Sequence, residues 1–204
     1  MKKLPSIFLL LFLFGTIGAF AQTTSSLGEM NRLLSNNIKY PAELRQAEVQ
    51  GAVVISIQID RKGEMTGEYQ MLSGNSAFEG EIERTVSMLK ENWNPAFLEG
   101  KSFDQEYLMS FNFKLSTTGS VFPPKPFTTA SKKEKEMNPL ETVENALEKN
   151  PFSPKLYTYR AEMLQSKGQR LQAEMDLNQA KFLEEKMLTE IVIVGYLPSG
   201  PKSL

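Results

Sequence analysis

Acid–base chemistry in this chain would have to come from carboxylates such as Glu79, Glu81, Glu83 and Glu91, or from a Ser/Lys system, because its 204 residues include no His and no Cys. That absence rules out the Ser-His-Asp and Cys-His nucleophile arrangements and zinc sites made of His and Cys. The four glutamates fall in one apolar-striped segment and read as the solvated face of a helix. No acidic run has the spacing of a calcium loop, and no glycine-rich phosphate loop is present. Neither a catalytic residue nor a metal or cofactor site is expected, and the reading is of a protein that is not an enzyme. The net charge of -1 gives no basic field for nucleic acid. What remains is binding through the backbone, which needs an exposed strand rather than a reactive side chain.

Strand-forming residues are concentrated in the first half of the chain. Val53, Ile55, Ile57 and Ile59 alternate with Val54, Ser56 and Gln58, the pattern of a strand with one buried face. Asp60-Arg61-Lys62-Gly63 supplies a tight turn, and Met65, Gly67, Tyr69 and Met71 alternate as the return strand of a hairpin. Ser76 and Glu79 have the spacing of a capping box. Phe78, Ile82, Val86, Leu89 and Trp93 then recur as one helical stripe, stopped at Asn94-Pro95. Tyr107, Met109, Phe111, Phe113 and Leu115 alternate along the longest strand. Ahead of these, Tyr40-Pro41 opens a short helix that ends at Gln50-Gly51, and Met30, Leu33 and Leu34 suggest another within 29–37.

The flanks differ in kind. Met1-Lys2-Lys3, the apolar run through Gly18 and Ala19-Phe20-Ala21 have the form of a signal peptide, residues 1–21. Its apolar core is shorter than the ~20 residues of a spanning helix. Residues 22–35 read as an N-terminal linker, and 117–137 as a second one, containing Val121-Phe122-Pro123-Pro124-Lys125-Pro126 and a charged run. Residues 138–188 carry apolar residues at helical spacing in three segments. Residues 189–204 hold a β-prone run, Glu190 to Tyr196, and a Pro-containing tail.

Tyr40-Pro41, Gln50-Gly51, Val-x-Ile-x-Ile-x-Ile-Asp60, Gly63, the capped helix, Trp93-Asn94-Pro95 and a strand ending at Leu115 occur in an order that resembles the TonB C-terminal domain, over residues 36–116. The resemblance implies an α+β fold in which a small antiparallel three-stranded sheet packs on a helix. It also implies function: TonB couples inner-membrane energy to outer-membrane receptors, and its C-terminal domain grips a receptor segment, the TonB box, by pairing it with the last strand of the sheet. Carried over, the partner-strand edge is Tyr107, Leu108, Met109, Ser110, Phe111, Asn112 and Phe113, with the aromatic side chains in the core and the backbone doing the binding. The chain departs from the pattern in three ways. Its N-terminus looks cleavable, the stretch from Gln22 to Tyr40 reaches at most about 60 Å when extended, and the segment between Gly63 and Leu72 is one residue longer than usual, as a bulge would make it.

Two further resemblances follow. Asn150-Pro151, Tyr157, Ala161, Leu164, Gly168, Ala173, Leu177 and Ala180 are spaced like the packing positions of a tetratricopeptide repeat, so the fold is expected to continue into an α-helical hairpin of that type. It would serve either as a plain helical hairpin or as a peptide groove. Glu190, Ile191, Val192, Ile193, Val194, Gly195 and Tyr196 resemble the TonB box of receptors in Bacteroides-related bacteria. Such a segment would add to a sheet edge of this chain or of a partner. The expected role is a periplasmic protein-binding module associated with TonB-dependent transport. Its partners would be envelope proteins, including TonB-dependent outer-membrane receptors, and a homo-oligomer stays open. The alternative is a true energy transducer held by an uncleaved inner-membrane anchor.

Overall fold

The computed structural model describes residues 26–117 and 138–197. The expected leader and nearly all of the second linker lie outside these residues, as does the tail after Leu197. The described elements are α1 (Ser26–Asn37), α2 (Ala42–Gln46), β1 (Gly51–Ile59), β2 (Met65–Ser73), α3 (Glu79–Glu91), β3 (Gln105–Thr117), α4 (Pro139–Lys149), α5 (Pro154–Ser166), α6 (Arg170–Lys186) and β4 (Met187–Leu197).

The fold is α+β, but the sheet has four strands in the order β2-β1-β3-β4, not the three expected. The first three are antiparallel, as expected. The fourth, the C-terminal strand, lies parallel to β3 from Leu108 to Thr117, so the sheet is mixed. A three-stranded sheet would leave one side of β3 with unpaired N–H and C=O groups, and β4 fills that side. Parallel neighbours need a crossover connection, and the chain between Thr117 and Met187 provides it, with α4, α5 and α6 along the way.

Period-two alternation puts a single set of side chains on one face. The register sets Val53, Phe111 and Ile191 in one row across β1, β3 and β4, and Gly51, Phe113 and Ile193 in another. Ile55, Ile57, Ile59, Tyr107 and Met109 complete the layer, which α1 covers with Met30 and Leu34, and α3 with Ile82, Val86 and Leu89. Met30 and Leu34 have no solvent exposure, so the part of the expected 22–35 linker that is described is an integral core helix. Its stripe is short, which is why it reads weakly in sequence.

Several local expectations are adjusted. The capping box is not used: Asn75, not Ser76, accepts from the Ala77 N–H at 2.9 Å and opens a 3₁₀ turn, Ser76–Phe78, ahead of α3. Trp93 lies beyond the end of α3, and its indole N–H donates to the Gly63 carbonyl at 2.8 Å, tying the helix exit to the hairpin turn. Surplus residues do appear in the hairpin: β2 runs from Tyr69 to Met65 while β1 runs only from Ile57 to Ile59. Nor is β1 buried on one face alone. Val54 and Ser56 are buried too, with Leu108 and Ser110 beside them, because β1 and β3 are central strands and the helical unit lies along that side. Ala52, Asn112 and Glu190 of the sheet share a cleft of about 780 Å³ with Ala146, Ser153 and Leu156 of the helices.

The helical unit is held by α5 on α6. Gly168, at φ +77°, takes the left-handed conformation that ends α5, and the Gln169 N–H reaches back to the Leu164 carbonyl at 2.9 Å. Ala161, Leu164, Ala173 and Ala180 are buried, whereas Leu177 is 48% exposed. Arg160 makes a two-pronged ion pair with the buried Asp176, at 2.7 and 2.6 Å.

The burial of α1 yields a prediction. Leu34→Ala should cost about 2–5 kcal/mol of stability, the range for truncating a fully buried leucine. Urea unfolding would check it; a loss under 1 kcal/mol, on the order of an exposed substitution, would mean that α1 is only loosely docked.

Candidate functional site at the sheet edge

β3 has β1 on one side and β4 on the other. The Leu115 N–H donates to Gln50 Oε1 at 3.1 Å, on the β1 side. Backbone groups of successive strand residues point to alternate sides, so the N–H groups of Ser110 and Asn112 point toward β4. All seven residues expected to form the docking edge, Tyr107 to Phe113, lie in β3. All seven of the box-like segment, Glu190 to Tyr196, lie in β4. The structure puts the two sets side by side, pairing Ser110 with Glu190, Phe111 with Ile191, Asn112 with Val192 and Phe113 with Ile193.

Side chains make the seat specific. Ile191 and Ile193 are 6% and 7% exposed and join the core beside Phe111 and Phe113. Val192, Val194 and Tyr196, on the other face, are about half exposed. Gly195 is decided by a close approach: a Cβ there would lie 2.7 Å from Cδ2 of Tyr40. That ring has little freedom to yield. It meets Phe78 and Phe113 edge-on, with centroids at 5.9 and 5.5 Å, while Phe78 and Phe113 stack on each other at 4.0 Å. The Tyr40 hydroxyl donates to the Val49 carbonyl, and burial raises its pKa above the usual 10.0.

The N-terminal end of β4 is pinned as well. Thr189 Oγ1 donates to Asn31 Oδ1 of α1, and Lys155 of α5 pairs with Glu190 at 3.0 Å. Just before the strand, Lys101 Nζ donates to the Glu184 and Glu185 carbonyls at 3.3 and 2.7 Å, capping the end of α6. Desolvation lowers its pKa, with the neighbouring Glu185 opposing. Lys186 reaches Gln105 Oε1 at 2.8 Å, at the start of β3.

Tyr40, Asn31 and Lys155 are the residues that sequence reasoning did not assign to this site. Tyr40 stood in plain view in the Tyr40-Pro41 pair, but nothing in the sequence links it to a glycine so far along the chain. Among the described residues no cluster of His, Cys, Asp and Glu could hold a metal ion, and no helix is long and apolar enough to cross a membrane.

Residues 36–115 match the family model described as the Gram-negative bacterial TonB protein C-terminal. This segment is a TonB C-terminal domain. The match begins inside α1 and stops before the end of β3, so β4 is an addition from outside the domain, seated on its last strand. No curated protein and no solved structure matches the chain. A TonB C-terminal domain faces the periplasm, serves TonB-related transport and engages envelope or outer-membrane proteins.

Replacing Gly195 tests how β4 is seated. Gly195→Leu should destabilise the docked strand by about 1–3 kcal/mol, as overpacking does. Hydrogen exchange of residues 187–197 should then accelerate while β1 stays protected. Equal protection in variant and parent would show that Tyr40 yields to a side chain.

Proposed function

We propose that the chain is a periplasmic strand-pairing module, exported by removal of residues 1–21 and without catalytic activity. Its TonB C-terminal domain would bind extended segments of envelope proteins, including TonB-dependent outer-membrane receptors, along the outer edge of β3. The observation that carries this reading is that this edge already holds an added strand. Main-chain hydrogen bonds give such an edge its affinity, and pockets for alternate side chains give it selectivity. The missing His and Cys argue for the same class. The α4–α6 unit, with its repeat-like spacing, would widen the protein-binding surface.

Direct energy coupling needs a retained N-terminal anchor, so the mass of the mature chain bears on it. A start at Gln22 supports the module; an intact leader favours a transducer. The edge itself is tested with Asn112→Pro, which removes a donor facing the added strand. The purified mature chain should recover TonB-dependent receptors or other envelope proteins, identified by mass spectrometry, and the variant should recover roughly tenfold less, the effect of ~1.4 kcal/mol. An unchanged circular dichroism spectrum would show that the variant folds. Recovery of no envelope protein by the parent chain would exclude this edge as a docking site, and equal recovery by variant and parent would exclude a role for the Asn112 donor.

A further inference from the structure

We propose that β4 is the resident occupant of a selective strand-docking groove, and that a partner strand enters only in its place and only if it carries the same pattern: two large apolar residues at alternate positions, then a glycine two residues on. This rests on the strand-pairing reading above and names the chemistry of the partner.

The selectivity comes from the asymmetry of the seat. On the core side, Ile191 and Ile193 sink beside Phe111 and Phe113, and two positions after Ile193 the Tyr40 ring leaves no room for a Cβ. On the outer side, Val192, Val194 and Tyr196 stand about half exposed, so that side imposes little. The groove therefore reads every second residue of whatever lies in it. Backbone pairing alone would accept any extended chain; Tyr40 restricts it to one with glycine at a fixed place. The ring cannot easily turn aside, because Phe78 and Phe113 pack on it in T-shaped contacts and its hydroxyl is bound to Val49.

β4 is also the edge strand whose departure leaves the pairing of β1 with β2 and with β3 intact. β1 and β3 are flanked on both sides, and β2 is tied to β1 through a tight turn. β4 has one strand neighbour and reaches it through a long crossover. Its Glu190–Lys155 pair is largely exposed, at 39% and 71% of the two side chains, and surface pairs of this kind contribute little. Departure of β4 would bare the N–H groups of Ser110 and Asn112 together with the two isoleucine seats and the face of Tyr40. A groove open for one part in a hundred of the time binds an incoming strand about 100-fold more weakly than an open one.

A fluorescent synthetic peptide with the sequence of residues 187–197 is the probe, followed by anisotropy on the full mature chain. The Gly195→Leu chain should bind it on the order of 10- to 100-fold more tightly than the parent. The same peptide with leucine in place of its glycine should not bind either protein. The chain has no cysteine, so Lys114→Cys combined with Val194→Cys introduces a single pair at registered positions of β3 and β4. Oxidised, this double variant should lose binding; reduced, it should regain it. Binding that is equally tight in the oxidised and reduced forms overturns the resident-strand proposal, while leaving strand pairing at another edge. Equal binding of the two peptides overturns the reading by Tyr40. If Gly195→Leu frees β4 in hydrogen exchange and still captures no peptide, the β3 edge is not a binding site, and the strand-pairing function falls with it.

Discussion

The second edge of β3 governs much of this structure. A strand long enough to line the core of a two-layer domain carries a full row of hydrogen-bonding groups on each side. β1 satisfies one row along Gln105 to Phe113. The other row would face water at the margin of a sheet whose core face is rich in aromatic side chains, the arrangement that invites unwanted pairing. Here the chain meets the need with its own last strand. The parallel direction follows from the route taken: β4 starts near Leu108, where Lys101 and Lys186 hold the end of α6 against the start of β3.

Once β4 is in place, the first and last described elements become part of the same core. α1 precedes the matched segment for most of its length and β4 follows it, yet Met30, Leu34, Ile191 and Ile193 share one cluster with the residues of β1, β3 and α3. Asn31 and Thr189 join the two additions directly. The Tyr40, Phe78 and Phe113 rings form the wall against which the strand closes, and it is their packing on one another that turns a general backbone edge into a seat with a fixed glycine position.

Much of the fold was legible because it rests on local periodicity. The alternation of Val53 to Ile59 and of Tyr107 to Leu115 marks strands, and the Phe78 to Leu89 stripe marks α3, whatever their surroundings. The candidate site was legible as two separate segments. Tyr107 to Phe113 followed from the family's order of elements and Glu190 to Tyr196 from its β-prone run, but their pairing is a long-range choice between chemically similar edges. Strand content leaves a partner, a direction and a register undetermined. The capping of α3 failed for a smaller reason of the same sort: Asn75 and Ser76 both suit a helix start, and the 3₁₀ turn decides between them.

The sequence by itself determined the absence of His and Cys chemistry, the TonB C-terminal domain with its hairpin, helix and closing strand, and the box-like character of Glu190 to Tyr196. These depend on residue types, on spacings of two to four, and on the order of short motifs. Tertiary structure alone decided that the box-like segment sits on the expected docking edge of the same chain, parallel to it, with Gly195 against Tyr40. No local rule connects residues so far apart. Only the closing of the core by β4 brings that glycine to that ring.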